Sequence, residues 1–370
     1  MISVVIPTYK EADSIQEAIK RSAAALDGCG EDYELIVVDD NSGDGTAELA
    51  EELGREYPVR VLRRAGRQGL ATAVVDGWAM ARGDLLGVLD ADLQHPPEIL
   101  TALATELRAS KADLAIASRY VSGGGTSGWE LSRRFISWGA THLAASVLPL
   151  KLSAVSDPMS GMFLVRAAAI QGTPLLPLGY KILLEVLAKG RIEKIAEVPY
   201  QFEERIRGSS KLGLRQYGEY LAHLMRLSWS TGQFGAWVEY SLVGLSGAAI
   251  DLGLVYWGAG RAGWSFVWTL LAAVQAALLW NFLWNQLVTF ARRSRGNHAG
   301  GRIFTRFWLY EKTCAPGAAL NIGLTLLLNF RGMHLVLAAA CGVLLDCLFN
   351  LLINVPAIWR IWGSRTPASR

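Results

Sequence analysis

The chain has 370 residues, 51% of them hydrophobic and only 19% charged, with a formal net charge of +3. That average is too apolar for two ordinary soluble domains, and it hides a division. Residues 1–232 carry 25 basic and 29 acidic side chains, whereas residues 233–370 carry 11 basic and 4 acidic ones together with nine of the thirteen tryptophans. The division argues against disorder, a coiled coil and a purely cytosolic enzyme. No basic stripe with interleaved aromatics marks a nucleic-acid binder.

From the N-terminus, strand-like and helix-like runs alternate: Ser3–Ile6, Ser14–Leu26, Glu34–Val38, Thr46–Tyr57, Val59–Leu62, Leu70–Ala81, Leu85–Leu89, Pro97–Leu107 and Leu114–Ala117. This alternation predicts an α/β fold with a mostly parallel sheet covered by helices. Met1–Lys10 enters a strand directly, without a basic segment and long apolar run, so no cleavable signal is expected and this half is placed in the cytosol. Glu34–Val38 and Leu85–Leu89 are nearly continuous apolar runs, as strands buried on both faces require. Each runs straight into carboxylates, Asp39-Asp40 after one and Asp90-Ala91-Asp92 after the other. Ligands of open α/β sheets bind at the carboxyl ends of strands, so both acidic pairs are placed for a site.

The two pairs differ in spacing. Asp90 and Asp92 are one residue apart where a strand ends, so both can turn toward one hard divalent cation that also holds phosphate oxygens, with Gln94 as a neutral oxygen donor. Asp39-Asp40 opens a turn, Asn41-Ser42-Gly43-Asp44-Gly45, in which one carboxylate can accept hydrogen bonds from a base or ribose. A D-x-D sequence by itself also suits a turn with a helix cap. Its position after the fourth strand, followed by Gln94-His95-Pro96-Pro97, favours the site reading.

Further along, 131–148 and 214–229 mix apolar and basic residues at helical spacing. Helices in the lipid headgroup plane have this pattern, as do helices packed on their own domain. Ser122–Gly128, with four Gly in seven residues, suits a flap or a plain surface loop.

The second half holds four stretches long and apolar enough to cross a bilayer: Phe234–Gly260, Trp264–Phe290, Phe307–Phe330 and Leu335–Trp359. Arg292, Arg293, Arg295, Arg302 and Arg306 crowd the link between the second and third, and Arg360, Arg365 and Arg370 follow the fourth. The positive-inside rule then puts both termini, the middle link and the first half in the cytoplasm. Gly247-Ala248-Ala249-Ile250-Asp251-Leu252-Gly253-Leu254 returns 70 residues later as Gly317-Ala318-Ala319-Leu320-Asn321-Ile322-Gly323-Leu324, which implies two copies of a helical hairpin. Glu239, Asp251, Glu311, Lys312 and Asp346 sit in or beside these spans, where ionisable groups must face protein or water. Cys29, Cys314, Cys341 and Cys347 lack paired spacing and read as buried small hydrophobes.

The strings Val5-Ile6-Pro7-Thr8-Tyr9-Lys10-Glu11, Val37-Val38-Asp39-Asp40-Asn41-Ser42, Asp90 to Pro97 and Ser118-Arg119-Tyr120 resemble family 2 glycosyltransferases of the GT-A fold. More closely they are similar to dolichol-phosphate mannose synthases and polyprenyl-phosphate glycosyltransferases, and the second half resembles a GtrA-type four-helix membrane domain. The resemblance implies a GT-A domain over 1–232 and a GtrA-like domain over 233–370. It implies Pro7, Tyr9, Glu11, Asp39, Asp40 and Ala91 around the nucleotide-sugar, and Asp90, Asp92 and Gln94 on Mg²⁺ or Mn²⁺ at its diphosphate. Arg205 and Lys211 match a basic loop closing over the phosphates, and Arg119, Arg133 and Ser137 match an acceptor-phosphate grip. Asp157 matches a family Asp near the acceptor that either orients the reaction centre or stabilises its turn. Lys10 departs from the Asn of many relatives.

The implied reaction is inverting transfer of a hexose to dolichyl or polyprenyl phosphate at the bilayer, with mannose from GDP-mannose favoured over glucose from UDP-glucose. A phosphate acceptor is already deprotonated near neutral pH, so His95, His142, His223, His298 and His334 read as structural or surface groups. Translocation of the lipid-linked sugar by the membrane half is an alternative of another class. A processive polysaccharide synthase is disfavoured by the lack of a Gln-x-x-Arg-Trp string.

Overall fold

The computed structural model describes residues 1–126, 131–148, 152, 155–203, 214–290, 300–351, 355 and 358. By contact density the chain divides into two units, Met1–Thr141 with Ala154–Leu227, and His142–Ser153 with Ser228–Arg370.

The first unit is built on a seven-stranded sheet. Its strands are β1 (Ile2–Thr8), β2 (Tyr33–Asp39), β3 (Val59–Arg63), β4 (Leu85–Val88), β5 (Leu114–Ser118), β7 (Phe163–Arg166) and β8 (Ile195–Pro199). They lie in the order β3-β2-β1-β4-β7-β5-β8. All pairings are parallel except those of β7, which runs antiparallel to both β4 and β5. Each early crossover is a helix: α1 (Ile15–Asp27), α2 (Thr46–Leu53), α3 (Leu70–Met80) and α4 (Ile99–Ala109). The period-2 pattern of β1 sends Ile2, Val4 and Ile6 to the face covered by Ile19 and Leu26 of α1 and Leu103 of α4. The opposite face carries Val5 and Val38, on which α3 lies so closely that a Cβ at Gly77 would stand 2.6 Å from a Val5 methyl.

All nine elements read from the sequence are present, and two ends are trimmed by more than one residue. α2 stops at Leu53, where Gly54 ends the helix, and α4 begins at Ile99 because Pro96 and Pro97 lack the donors a helix interior needs. After β5, a two-stranded ladder joins β6 (Gly125–Thr126) to β9 (Gln201–Phe202). In the proposed Gly-rich flap, Gly125–Thr126 are thus paired backbone, Ser122 and Gly123 form a turn, and 127–130 lie outside the described residues. Helices α5 (Leu131–Val147), α6 (Ala167–Ile170), α7 (Ile182–Lys189) and α8 (Leu214–Ser230) complete this part of the chain. Within the first unit, Tyr220 of α8 donates to the Ala140 carbonyl at 2.7 Å, and buried His223 meets Glu185 at 3.3 Å. Tyr217, Leu221 and Met225 recur every four residues along α8 and are exposed, while Phe135 of α5 is 71% exposed.

The second unit holds α9 (Phe234–Leu254), α10 (Phe266–Trp284), α11 (Gly300–Phe330) and α12 (Leu335–Phe349). Wider π-type turns extend α9 through Arg261 and α10 through Thr289. Phe234–Arg261, Phe266–Thr289 and Ile303–Phe330 are long and apolar enough to cross a membrane. The fourth expected span is described as the 15-residue α12, and much of its remainder up to Trp359 lies outside the described residues.

Candidate active site

β1, β2 and β4 are neighbours whose carboxyl ends lie on one edge, and the chain enters the left-handed region just after each: Lys10 at φ 58°, Asn41 at 60° and Leu93 at 60°. Non-glycine residues there are strained, and such backbone concentrates at functional sites. The sheet order reverses direction between β1 and β4, the place where open α/β sheets open a crevice. Lys10 N–H donates to Ser42 Oγ at 2.8 Å and Glu11 N–H to Thr46 Oγ1 at 3.1 Å, so the loops after β1 and β2 are stitched together. Tyr9 lies under the Arg67 guanidinium, 4.2 Å from its ring centre, a cation–π contact not apparent in the sequence.

Asp39 and Asp40 are buried and engaged. Asp39 accepts from Thr8 Oγ1 (3.0 Å), Ser42 Oγ (2.5 Å) and Ser42 N (2.9 Å), tying β1 to the turn after β2. Asp40 accepts from Arg64 Nη1 (3.0 Å), Gln68 N (2.9 and 3.0 Å) and Gly69 N (2.8 Å). It therefore holds the loop that feeds α3, with Arg64 and Asp40 side chains only 4% and 5% exposed.

The second acidic pair is set differently. The Asp90 side chain is 26% exposed, and Asp92, almost buried, accepts from Gln94 N–H at 3.1 Å through Oδ1. Gln94 Nε2 donates to the Glu203 carbonyl at 3.4 Å, which turns its amide oxygen the other way. Two carboxylates and an amide oxygen are hard donors suited to Mg²⁺ or Mn²⁺ with diphosphate oxygens completing the shell. Among the described residues no group of three His, Cys, Asp or Glu is placed to hold a metal ion. Gly161 approaches from β7's side: a Cβ there would strike Asp90 Oδ2 and stand 3.0 Å from the His95 ring. His95 is buried between Tyr200, stacked at 5.3 Å, and Phe202, edge-on at 5.2 Å. Burial, helped by Arg119 and Lys181, pushes His95 down to about 3, so it is neutral and makes no ion pair with Asp90.

Arg119 forms a fork with Asp157, Nε to Oδ2 and Nη2 to Oδ1 at 2.7 Å each, and its own N–H meets Oδ2 at 3.1 Å. Asp157 is fully buried, so of its two roles the geometry supports holding Arg119 and the turn. Burial alone would lower the Arg119 pKa; the bond to Asp157 reverses this and raises it. Ser137 on α5 lies 3.0 Å from the Tyr120 hydroxyl, beside Arg119. The Arg133 side chain, Arg205 and Lys211 fall outside the described residues.

Lys181, at the start of α7, is a site cation that the sequence does not reveal. Its Nζ donates to the Met159 carbonyl at 2.7 Å, and it feels Asp90 and Asp157 as well as Arg119. Burial first and the Arg119 charge second pull its ammonium down to about 8, leaving it mostly protonated at neutral pH. Nothing local marks it, because Tyr180-Lys181 before an apolar run looks like any helix entry.

Residues 3–171 match the model of glycosyl transferase family 2, and residues 239–359 match that of the GtrA/DPMS transmembrane domain. A dolichol-phosphate mannosyltransferase of Pyrococcus furiosus is 39% identical over 97% of this chain and 99% of its own length. Dolichol-phosphate mannosyltransferases of Mycosarcoma maydis and Saccharomyces cerevisiae are 38% and 36% identical, each over 61% of this chain and over 78% and 86% of their own lengths.

Proposed function

The chain belongs to the dolichol-phosphate mannosyltransferases, glycosyltransferases of family 2, and from that premise we propose that it moves mannose from GDP-mannose to a dolichyl or polyprenyl phosphate. The observation that carries the proposal is the Asp90-Ala91-Asp92 turn at the carboxyl end of β4, next to the β1–β4 crevice, in a chain that matches such an enzyme end to end.

An acceptor phosphate oxygen attacks the anomeric carbon. The bond from that carbon to the diphosphate breaks on the opposite face, the configuration inverts, and the nucleoside diphosphate leaves with the electron pair. The acceptor arrives ionised, so no general base is needed; the neutral, enclosed His95 agrees with this. Asp90, Asp92 and Gln94 would hold a divalent cation, Mg²⁺ or Mn²⁺, which would supply charge neutralisation to the leaving diphosphate. Pro7, Tyr9, Glu11 and Ala91 border the nucleotide, and Asp39 and Asp40 act on it through the loops they fix. Arg205 and Lys211 close over the phosphates, and Lys181 adds a cation from α7. Arg119, steadied by Asp157, takes the acceptor phosphate with Arg133 and Ser137. Forked guanidinium groups suit that partner.

The membrane domain anchors the enzyme with four spans, and both termini and the catalytic domain face the cytoplasm. The arginine-rich second link supports this orientation. The exposed apolar stripe of α8 and exposed Phe135 of α5 support helices lying in the headgroup layer, where the acceptor phosphate resides.

The test uses purified full-length protein with polyprenyl phosphate and either GDP-mannose or UDP-glucose. GDP release and a mannosylated lipid are expected only when GDP-mannose, acceptor and Mg²⁺ or Mn²⁺ are all present. Turnover of UDP-glucose alone would overturn the donor assignment. Arg133→Ala is expected to raise the KM for acceptor about tenfold with the donor KM unchanged, the cost of losing about one charge-assisted hydrogen bond.

A further inference from the structure

The strongest observation outside the catalytic site is a cavity of about 310 Å³ among the helices of the second unit. Its lining includes Asp251 of α9, Asn281 of α10, Asn285 just beyond it, Asn321 of α11 and Asp346 of α12. Glycines make room for these groups. A Cβ on Gly247 would run into the Asn281 amide, and one on Gly317 into the Asp346 carboxylate. Gly247 and Gly317 occupy the same place in the 70-residue repeat, so both hairpins set a polar side chain of the second helix against a glycine of the first. Asp251 and Asn321 are also repeat equivalents, and they meet: Asn321 Nδ2 donates to Asp251 Oδ2 at 3.1 Å.

That bond uses one oxygen of Asp251. The Oδ1 atoms of Asp251, Asn281, Asn285 and Asp346 are all buried without a hydrogen-bond partner among the described residues. Asp251 and Asn285 are only 3% and 2% exposed. All four atoms are acceptors, so an occupant must bring donors or positive charge. Charge decides between these. Two carboxylates put a formal −2 into a membrane-embedded bundle, and among the described residues no Lys, Arg or His is ion-paired with either. A neutral, hydroxyl-rich occupant would satisfy the oxygens but leave that charge uncompensated, which is expensive in low dielectric. Carboxylate and amide oxygens are hard ligands, and no His, Cys, Asp or Glu cluster of the zinc type is present among the described residues. The volume exceeds a bare ion's and has room for waters, at roughly 30 Å³ each, to fill the remaining coordination.

The geometry points to a hard-cation site inside the membrane unit, in which Asp251, Asp346, Asn281 and Asn285 hold an alkali or alkaline-earth ion that ties the two hairpins together. The site stands apart from the sugar-transfer chemistry and does not depend on it.

The experiment is thermal unfolding of the full-length protein in nanodiscs, in Na⁺, K⁺, Mg²⁺ or Ca²⁺ chloride against choline chloride at equal ionic strength. Wild type and Asp251→Asn/Asp346→Asn are compared, with Asp90 and Asp92 intact in both, so stabilisation through the catalytic pair cancels. At least one of the four ions is expected to raise the wild-type Tm by about 5 °C over choline and to leave the double variant within about 1 °C. Equal shifts in the two proteins for every ion would overturn the site. Asn281→Ala/Asn285→Ala keeps both charges and is expected to raise the half-saturating ion concentration about tenfold; an unchanged value would also overturn it. So would stabilisation by a soluble hexose in choline with no ion effect, because the cavity would then be a sugar site. The readout is stability, so loss of transferase activity leaves it standing.

Discussion

Two acidic pairs end strands on either side of β1 in one sheet, and the protein surrounds them differently. Asp40 after β2 is covered by a guanidinium and two backbone amides, and Asp39 by two hydroxyls and an amide. Asp90 after β4 keeps a quarter of its side chain exposed, and Asp92 beside it accepts from the backbone of its own turn. A carboxylate whose oxygens the protein has already covered is part of the frame. One left partly exposed at the mouth of a crevice can face a ligand. The difference lies in exposure, which is a property of the fold.

Substitutions at the two pairs should therefore fail in different ways. Asp40→Ala would take one of two carboxylates from Arg64, whose side chain is 4% exposed and keeps Asp76 at 3.1 Å, and would leave the Gln68 and Gly69 N–H groups without their acceptor, together about 3–5 kcal/mol. The expected fall in Tm is roughly 10 °C, read by thermal unfolding of the full-length protein. Asp40→Ala/Arg64→Met should recover part of that loss because it removes a buried guanidinium that has lost its buried carboxylate and keeps only the half-exposed Asp76; a double variant worse than the single one would end the frame reading. Asp92→Ala should do the reverse, lowering nucleoside diphosphate release about 100- to 1000-fold while Tm moves by less than about 2 °C. If the two variants lost stability equally, the distinction between the pairs would collapse.

This division is only half legible in the sequence. The nearly continuous apolar runs of β2 and β4 announce buried parallel strands, and both acidic pairs fall at strand ends as their positions predict. What separates them is remote: the groups that cover Asp40 come from positions 64 to 69, far beyond any turn's reach. β7 escapes a sequence reading for a related reason. Four residues, Phe163–Arg166, are too few to show a period, and their antiparallel direction is set by β4 and β5 on either side. Lys181 and Gly161 gain meaning only from what lies opposite them, Asp90 in both cases.

Gly161 sharpens the contrast at smaller scale. Gly161→Ala would press a methyl against Asp90 Oδ2, displacing one proposed ligand oxygen without removing it. The expected result is about a tenfold rise in the Mn²⁺ concentration needed for half-maximal rate, with the rate at saturating Mn²⁺ within about threefold of wild type. A lower plateau with unchanged metal dependence would mean that Asp90 acts on something other than the metal.

The smallest expected effect is at Lys10, which links the two strand ends. Its φ of 58° is one that a lysine side chain tolerates poorly and an asparagine tolerates better. The Lys10 N–H bond to Ser42 comes from the backbone and survives substitution. Lys10→Asn should therefore stabilise by about 0.5 kcal/mol, a rise of roughly 1–2 °C in Tm, whereas Lys10→Val should lower Tm because a β-branched residue fits that φ worst. The turn belongs to the frame that Asp39 and Ser42 hold, so turnover in Lys10→Asn should stay within about twofold. A large loss of turnover in Lys10→Asn with Tm raised as expected would instead assign the lysine ammonium to the donor, and would move the boundary between frame and ligand site across β1.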